Sequence, residues 1–296
     1  MSKITILDGG MGRELHRIGA PFRQPEWSAL ALYEGPNWVV QAHTNFIEAG
    51  AEVITTNSYA IVPFHIGEEM FAARGQELAA LAGRLARQAA DAAPGRNVRV
   101  AGSLPPLFGS YRADLFDAPN APRIIDPLIA GMAEHVDFWL GETLSSIAEA
   151  HAVREGLDRA GETARPLWIS YTLAESLEPQ LRSGESVAGA VKAAVDLGAQ
   201  AVLFNCCMAE TIGPALAITA DVAGADFARG GYANRFVSAH ADNVGANESL
   251  SAFRDDLTPA DYAHVVAAWV DGGATLLGGC CGMAPEHIAA LAESIR

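Results

Sequence analysis

A closed α/β barrel, (β/α)8, is the fold class this sequence of 296 residues predicts, and three observations carry the prediction. Short apolar runs alternate with helical patterns eight times along the chain, the count of a TIM barrel. Three segments share one layout: EAGAEVITTN (48–57), DLGAQAVLFN (196–205) and DGGATLLGGC (271–280) each carry an acid, a glycine where a helix stops, and then an apolar strand. Joins from helix to strand are short, at Gly50-Ala51, Gly198-Ala199 and Gly272-Gly273, whereas joins from strand to helix are long at 16–35, 104–123, 173–185 and 233–257. In a barrel the long joins all emerge on the face where active sites sit.

The expected strands are 4–8, 52–57, 98–103, 137–143, 166–172, 201–205, about 226–232 and 275–279. Most are nearly continuously apolar, as parallel strands covered on both faces are. The seventh rests mainly on its place in the order. Pro36 and Pro285 open two helices, and Thr258-Pro259-Ala260-Asp261 supplies a capping hydroxyl, a first-turn proline and a first-turn acid. Tyr262, Val265, Val266, Trp269 and Val270 then share one helical face, and Leu81 with Leu85 reads as a core stripe. Seven residues on from Gly50, Gly198 and Gly273 stand Asn57, Asn205 and Cys280, at equivalent strand ends. Residues 1–296 thus read as a single barrel domain, with no second module to bind folate or cobalamin.

Half the residues are apolar and 19% are charged, enough to bury a large core. A formal net charge of −15 disfavours nucleic acid and anionic membrane surfaces as partners. The N-terminus MSKITILDGG lacks the apolar core of a secretory signal, and no long apolar run suggests a membrane span, so a cytoplasmic location is expected.

Four cysteines form two adjacent pairs, Cys206-Cys207 and Cys280-Cys281, a poor disulfide framework. Neighbours on a regular strand point to opposite faces, so one of Cys206 and Cys207 faces a shared centre. At Cys280-Cys281 the strand gives way to Gly282, a bend at which both sulfurs converge. The prediction is three thiolates and one bystander. Three protein ligands leave zinc the open position of a catalytic site. Three thiolates would give zinc a net charge of about −1, poor for polarising a carbonyl but suited to binding an exogenous thiol as a nucleophilic thiolate. Other readings remain: four thiols serving as small buried hydrophobes, a zinc sensor or store, or a barrel aldolase. A Schiff-base aldolase is opposed by the lysines, since Lys3 opens the first strand and Lys192 lies in the fifth helix.

These residues stand among longer motifs: LDGGMGREL (7–15), TTNSY (55–59), GETLSSIAEA (141–150), FNC (204–206) and WVDGGATLLGGCCGMAPEHIAAL (269–291). Together they resemble the homocysteine S-methyltransferases, zinc-thiolate barrels that also include betaine–homocysteine methyltransferase and the homocysteine module of cobalamin-dependent methionine synthase. The resemblance covers essentially the whole chain, and N-C followed by G-G-C-C-G is its specific part. It implies a zinc ion held by Cys206, Cys280 and Cys281, with Cys207 as the bystander. Asp8 and Glu142 become the acids that clamp an amino-acid ammonium, and Gly9 and Gly10 offer backbone N–H groups to its carboxylate. Asn57, Ser58, Asn205, Tyr232 and Asn234 follow as further pocket residues. The implied reaction moves a methyl group from a small onium donor to the zinc-bound thiolate of homocysteine, giving methionine. A selenol or another thiol is the alternative acceptor.

Read without the resemblance, DGG is also a plain turn and Glu142 also a helix N-terminal acid. His43, His151 and His240 lack any ligand spacing and read as structural or solvent-facing. Two segments depart from the family's usual pattern. SLPPLFGSYRADLF (103–116) replaces a glycine-rich SxGPYGA-like stretch, and YANRF (232–236) replaces Y-P-N-S-G. Both fall on the donor side, where S-methylmethionine or S-adenosylmethionine is favoured and betaine is the alternative.

Overall fold

Eight parallel strands lie where the sequence places them, with ends displaced by at most two residues. They are β1 (Thr5–Ile6), β2 (Val53–Thr55), β3 (Arg99–Leu104), β4 (Phe138–Leu144), β5 (Leu167–Tyr171), β6 (Ala201–Asn205), β7 (Ala228–Tyr232) and β8 (Leu276–Leu277). The computed structural model describes residues 3–176, 178–237 and 252–295. The sheet order β1-β8-β7-β6-β5-β4-β3-β2 is sequential, and every pair is parallel. A parallel bridge from Leu7 to Val53 joins the two remaining edges, and the Glu52 N–H donates to the Ile6 carbonyl at 2.7 Å across the same seam. The sheet is therefore a (β/α)8 barrel, which leaves no strand edge open to other chains.

Pleat alternation divides the core in two. Phe138, Leu140, Ala201 and Leu203 join Leu7, Val53, Trp168 and Leu276 in the cluster that fills the barrel. Their strand neighbours Trp139, Val202 and Phe204 belong to the larger layer between sheet and helices. The same alternation carries Glu142, two residues beyond Leu140, toward the barrel axis.

The capping predictions hold. Thr258 accepts from the Asp261 N–H while the Asp261 carboxylate accepts from the Thr258 N–H, opening the helix Pro259–Asp271. Tyr262, Val266 and Trp269 are buried on its inner face, with Val265 and Val270 packed at the margin. Pro36 opens the helix Pro36–Ala49 and Pro285 opens Pro285–Ser294. Gly50, Gly198 and Gly273 all take positive φ at their helix stops. Leu85 is core and Leu81 packs against it. Among the described residues no helix is long and apolar enough to cross a membrane.

Candidate active site

A cavity opens at the strand ends carrying the long loops, the face of such a barrel where small-molecule sites lie. Cys206, Cys280 and Cys281 form one of its walls, and their three Sγ atoms all lie within 4.8 Å of one another. The Cys206 and Cys281 sulfurs are 3.7 Å apart. Cys207 lies in the layer beneath the helices, where burial pushes its thiol up to about 12. The expected split of three and one is present, but its cause differs from simple strand alternation. Continued pleating would carry Cys206 outward with Val202 and Phe204. Instead β6 ends at Asn205, and Cys206 takes φ +52°, which swings its sulfur into the cavity.

The backbone of residues 232–235 splints the two cysteine segments together. Cys206 N–H donates to Tyr232 O at 3.2 Å and Cys280 N–H to Ala233 O at 2.9 Å. Asn234 N–H donates to Cys207 O at 3.2 Å and Arg235 N–H to Cys281 O at 2.8 Å. The buried Tyr262 hydroxyl anchors this splint, accepting from Ala233 N–H at 3.1 Å and donating to Gly278 O at 2.6 Å. Tyr262→Phe leaves that buried N–H unpaired, and a loss of about 1–3 kcal/mol in urea-unfolding stability is expected. An unchanged midpoint and slope would show the splint to be held without it.

Burial and mutual hydrogen bonding set the thiols against each other. Cys206 is drawn well below the ordinary thiol range by hydrogen bonds from the other two thiols, and further by the Tyr111 hydroxyl 2.8 Å away. Cys280 and Cys281 are held well above it, first by their bonds to Cys206. One of the three thus ionises readily.

The two acids line the same cavity. Asp8 follows β1 and accepts from Thr55 N–H at 2.7 Å and Thr55 Oγ1 at 3.0 Å, bridging the seam that closes the barrel. Glu142 lies inside β4, five residues before the helix Ile147–Arg159, which removes the helix-terminus reading. Ser103 Oγ donates to its Oε2 at 2.5 Å and the Tyr232 hydroxyl to its Oε1 at 3.2 Å. Burial raises Asp8 to about 8, against the Thr55 bonds and with help from the Glu142 charge. Burial likewise raises Glu142 to about 7, against its two hydrogen bonds. A cation bound between them would favour both ionised forms.

The glycines and polar candidates divide between lining and support. Gly9 and Gly10 both line the cavity, yet the Gly10 N–H already donates to Met283 O at 3.0 Å. A Cβ on Gly10 would stand 2.7 Å from the Cys280 carbonyl oxygen, so this glycine lets β1 approach the cysteine turn, and its N–H is not available to a substrate carboxylate. Asn57 and Tyr232 line the cavity as expected. Ser58, Asn205 and Asn234 stand behind the wall instead, because neighbouring groups take their side chains. Ser58 Oγ donates to Ser103 O at 2.7 Å, and Asn234 Oδ1 accepts from Phe236 N–H at 3.2 Å. Asn205 bonds Ser170 at 2.7 Å and Thr143 at 2.8 Å, with its amide 3.8 Å from the Cys280 sulfur.

Sequence reasoning missed Arg13, Trp27, Tyr111 and Thr143, all in the lining. Trp27, Tyr111, Thr143 and Cys206 take φ of +51°, +64°, +60° and +52°, and they are the non-glycine residues with positive φ among those described. Strained backbone of this kind concentrates at functional sites. The Arg13 guanidinium lies 4.7 Å from the Phe253 ring centre and 5.4 Å from that of Phe236. Neither lysine comes near: exposed Lys3 pairs with Glu52 and exposed Lys192 with Asp196. His43 is buried, and burial lowers it to about 3, so it is neutral; His151 is exposed, and His240 lies outside the described residues.

Known proteins share both the fold and the chain's length. The family pattern described as homocysteine S-methyltransferase matches residues 5–295. The homocysteine S-methyltransferase of Escherichia coli (strain K12) is 31% identical, over 97% of this chain and 94% of that protein. A selenocysteine methyltransferase of Astragalus bisulcatus is 25% identical, over 97% and 90%. The crystal structure of the homocysteine methyltransferase MmuM from Escherichia coli, in its metallated form, superposes with a TM-score of 0.81 at 25% identity, covering 99% of this chain and 96% of that one. With residues 5–295 accounted for by one family's pattern, and the barrel superposing on a metallated homocysteine methyltransferase, the chain belongs to the homocysteine S-methyltransferase family.

Proposed function

We propose that this methyltransferase moves a methyl group from an onium donor, S-methylmethionine or S-adenosylmethionine, to the sulfur of homocysteine, giving methionine, with zinc held by Cys206, Cys280 and Cys281. The observation that carries the reading is a three-sulfur cluster and two buried carboxylates facing one cavity. The donor set fits zinc. Tetrahedral coordination with Zn–S near 2.3 Å sets neighbouring sulfurs about 3.8 Å apart, and Cys206 and Cys281 stand at 3.7 Å. When bound, zinc on three thiolates lets an acceptor thiol ionise at neutral pH while staying nucleophilic.

The chain's own residues supply placement. Asp8 and Glu142 take the homocysteine ammonium, each oriented by its hydroxyl partners, Thr55 for the first and Ser103 with Tyr232 for the second. Of the two glycines, Gly9 remains the one whose N–H could meet the carboxylate. Trp27, Tyr59 and Tyr111 give the cavity aromatic faces suited to an onium methyl group. Holding donor and acceptor in line, away from water, supplies most of the rate, and no base needs to touch carbon. We read residues 1–296 as one homocysteine-binding unit, and the free thiols favour a reducing, cytoplasmic setting.

Zinc content after purification under reducing conditions, followed by methionine formation from S-methylmethionine, S-adenosylmethionine and betaine in parallel, tests this. One zinc per chain and methionine from a sulfonium donor are expected. Metal-stripped protein that kept its full rate would sink the zinc assignment. Zinc-loaded protein that methylates only a selenol would move the acceptor to the class named for the Astragalus relative.

A further inference from the structure

We propose that the Tyr111 hydroxyl guards the Cys206 thiolate, so that the onium methyl group goes to the acceptor sulfur and not to the protein's own. The inference rests on the zinc and methyl-transfer reading above and adds a residue that decides which sulfur is methylated. Three thiolates of the chain would share one cavity with an electrophilic methyl group, and each is a nucleophile in its own right. Attack by Cys206 on a sulfonium donor would form an S–CH3 bond while the donor's C–S bond breaks, its electron pair staying on the departing sulfur. No proton moves, and a neutral thioether replaces the thiolate. A site that turns over must suppress this step.

Cys206 is buried yet lines the cavity, and the Tyr111 oxygen stands 2.8 Å from its sulfur. A thiolate carries no proton, so the hydroxyl is the donor of that bond. A methyl carbon in line for transfer needs to come within about 3–3.5 Å of the sulfur, and the oxygen already lies inside that distance. The bond also draws on the lone-pair charge that a nucleophile uses. The tyrosines of the lining divide their hydroxyls: Tyr59 is bonded to Ser110 at 2.8 Å, Tyr232 to Glu142 at 3.2 Å, and Tyr111 to the sulfur. Backbone and neighbour both fix the Tyr111 ring. It stands in the loop after β3 at φ +64°, and the Arg182 guanidinium lies 4.5 Å from its ring centre. Cys280 has a weaker counterpart in the Asn205 amide, 3.8 Å away.

The test is peptide mass mapping of S-methylcysteine in zinc-loaded wild type, Tyr111→Phe and Tyr111→Gln, without homocysteine. Two methylating probes are used: S-methylmethionine, and methyl iodide, which needs no donor site. Cys281 in the same sample is the internal reference. Phenylalanine keeps the ring and removes only the hydroxyl. Methylation at Cys206 relative to Cys281 is then expected to rise about tenfold to a hundredfold, the range of a hydrogen bond to a charged group. Zinc should leave in step with it. Tyr111→Gln returns an N–H donor and should recover part of the protection. A ratio unchanged in Tyr111→Phe with both probes overturns the proposal, as does a rise at all three cysteines alike, which marks a loosened site. Zinc lost from Tyr111→Phe before any probe is added overturns it too, since the hydroxyl would then be a prop for the metal. Methionine formation from homocysteine is assayed alongside. A ratio that rises with methyl iodide, without methionine from S-methylmethionine, S-adenosylmethionine or betaine, keeps the guard on Cys206 and refutes methyl transfer to homocysteine.

Discussion

Replacing Cys280 by serine is expected to cost the protein the proposed zinc and its methyl transfer together. Serine keeps the size and the backbone, including the Cys280 N–H bond to Ala233, so the fold should survive. A serine hydroxyl does not ionise at neutral pH, and the cluster falls from three thiolates to two. Loss of a supporting hydrogen bond at a metal site typically costs ten- to a hundredfold, so losing a ligand should lower kcat/KM by on the order of a thousandfold or more. Cys207→Ala is the matched control: its sulfur packs in the helix layer, and zinc content should be unchanged. Full zinc and full activity in Cys280→Ser, or zinc loss confined to Cys207→Ala, would reverse the division of the cysteines.

Asp8→Asn should separate binding from stability. Asparagine keeps the shape and can still accept from Thr55 N–H, so the seam between β1 and β2 remains bridged. What disappears is the charge proposed to meet the ammonium, and KM for homocysteine should rise about tenfold to a hundredfold with a smaller change in kcat. The pH dependence follows from Asp8 at about 8 and Glu142 at about 7. Below these values the native carboxylates hold protons that an ammonium must displace. Affinity should therefore fall as pH drops from 8 to 6, by up to about tenfold per pH unit for each group. Methionine, an amino acid without a thiol, isolates this effect from ionisation of the acceptor sulfur, and Asp8→Asn should flatten the profile.

The stability sign is the opposite. A carboxyl raised from 3.8 to about 8 binds its proton more tightly in the folded chain, so its burden on stability grows as pH rises across that window. Without substrate, Asp8→Asn should melt no lower than the wild type at pH 8.5. A mutant that melts lower at pH 8.5 and binds homocysteine normally would show that Asp8 only ties strands together.

Strand positions were legible because buried parallel strands are apolar throughout, and helix starts because proline and capping hydroxyls mark them locally. The cysteine split was legible for a reason only half right. Pleating separates Cys206 from Cys207, but the left-handed turn at Cys206 decides which of them faces the cavity. No composition signal announces such a turn at a cysteine, nor the one at Thr143, where the β4–β5 register shifts between Gly141 and Leu144. Strand-end polar residues were the weak point. Asn205 and Asn57 occupy equivalent places in the repeated layout, yet one braces Thr143 and Ser170 while the other lines the cavity. Which happens depends on neighbours brought in by other strands. Tyr111 and Arg13 were invisible for the same reason: loop and helix bring them to the cavity that the cysteines line, across long sequence separations.

The four left-handed residues around the cavity bear on how this enzyme can be engineered. Each such conformation opposes folding by roughly 1–3 kcal/mol, and glycine would relieve it. At Thr143 that relief removes the hydroxyl that holds the Asn205 amide beside the Cys280 sulfur. Selection for heat resistance alone would thus favour glycine at Thr143 and leave a slack site, whereas at Trp27, a core residue, glycine would lose more in burial than it gains in relieved strain. Selection that also demands turnover would find its gains in the outer helices, away from the cavity lining.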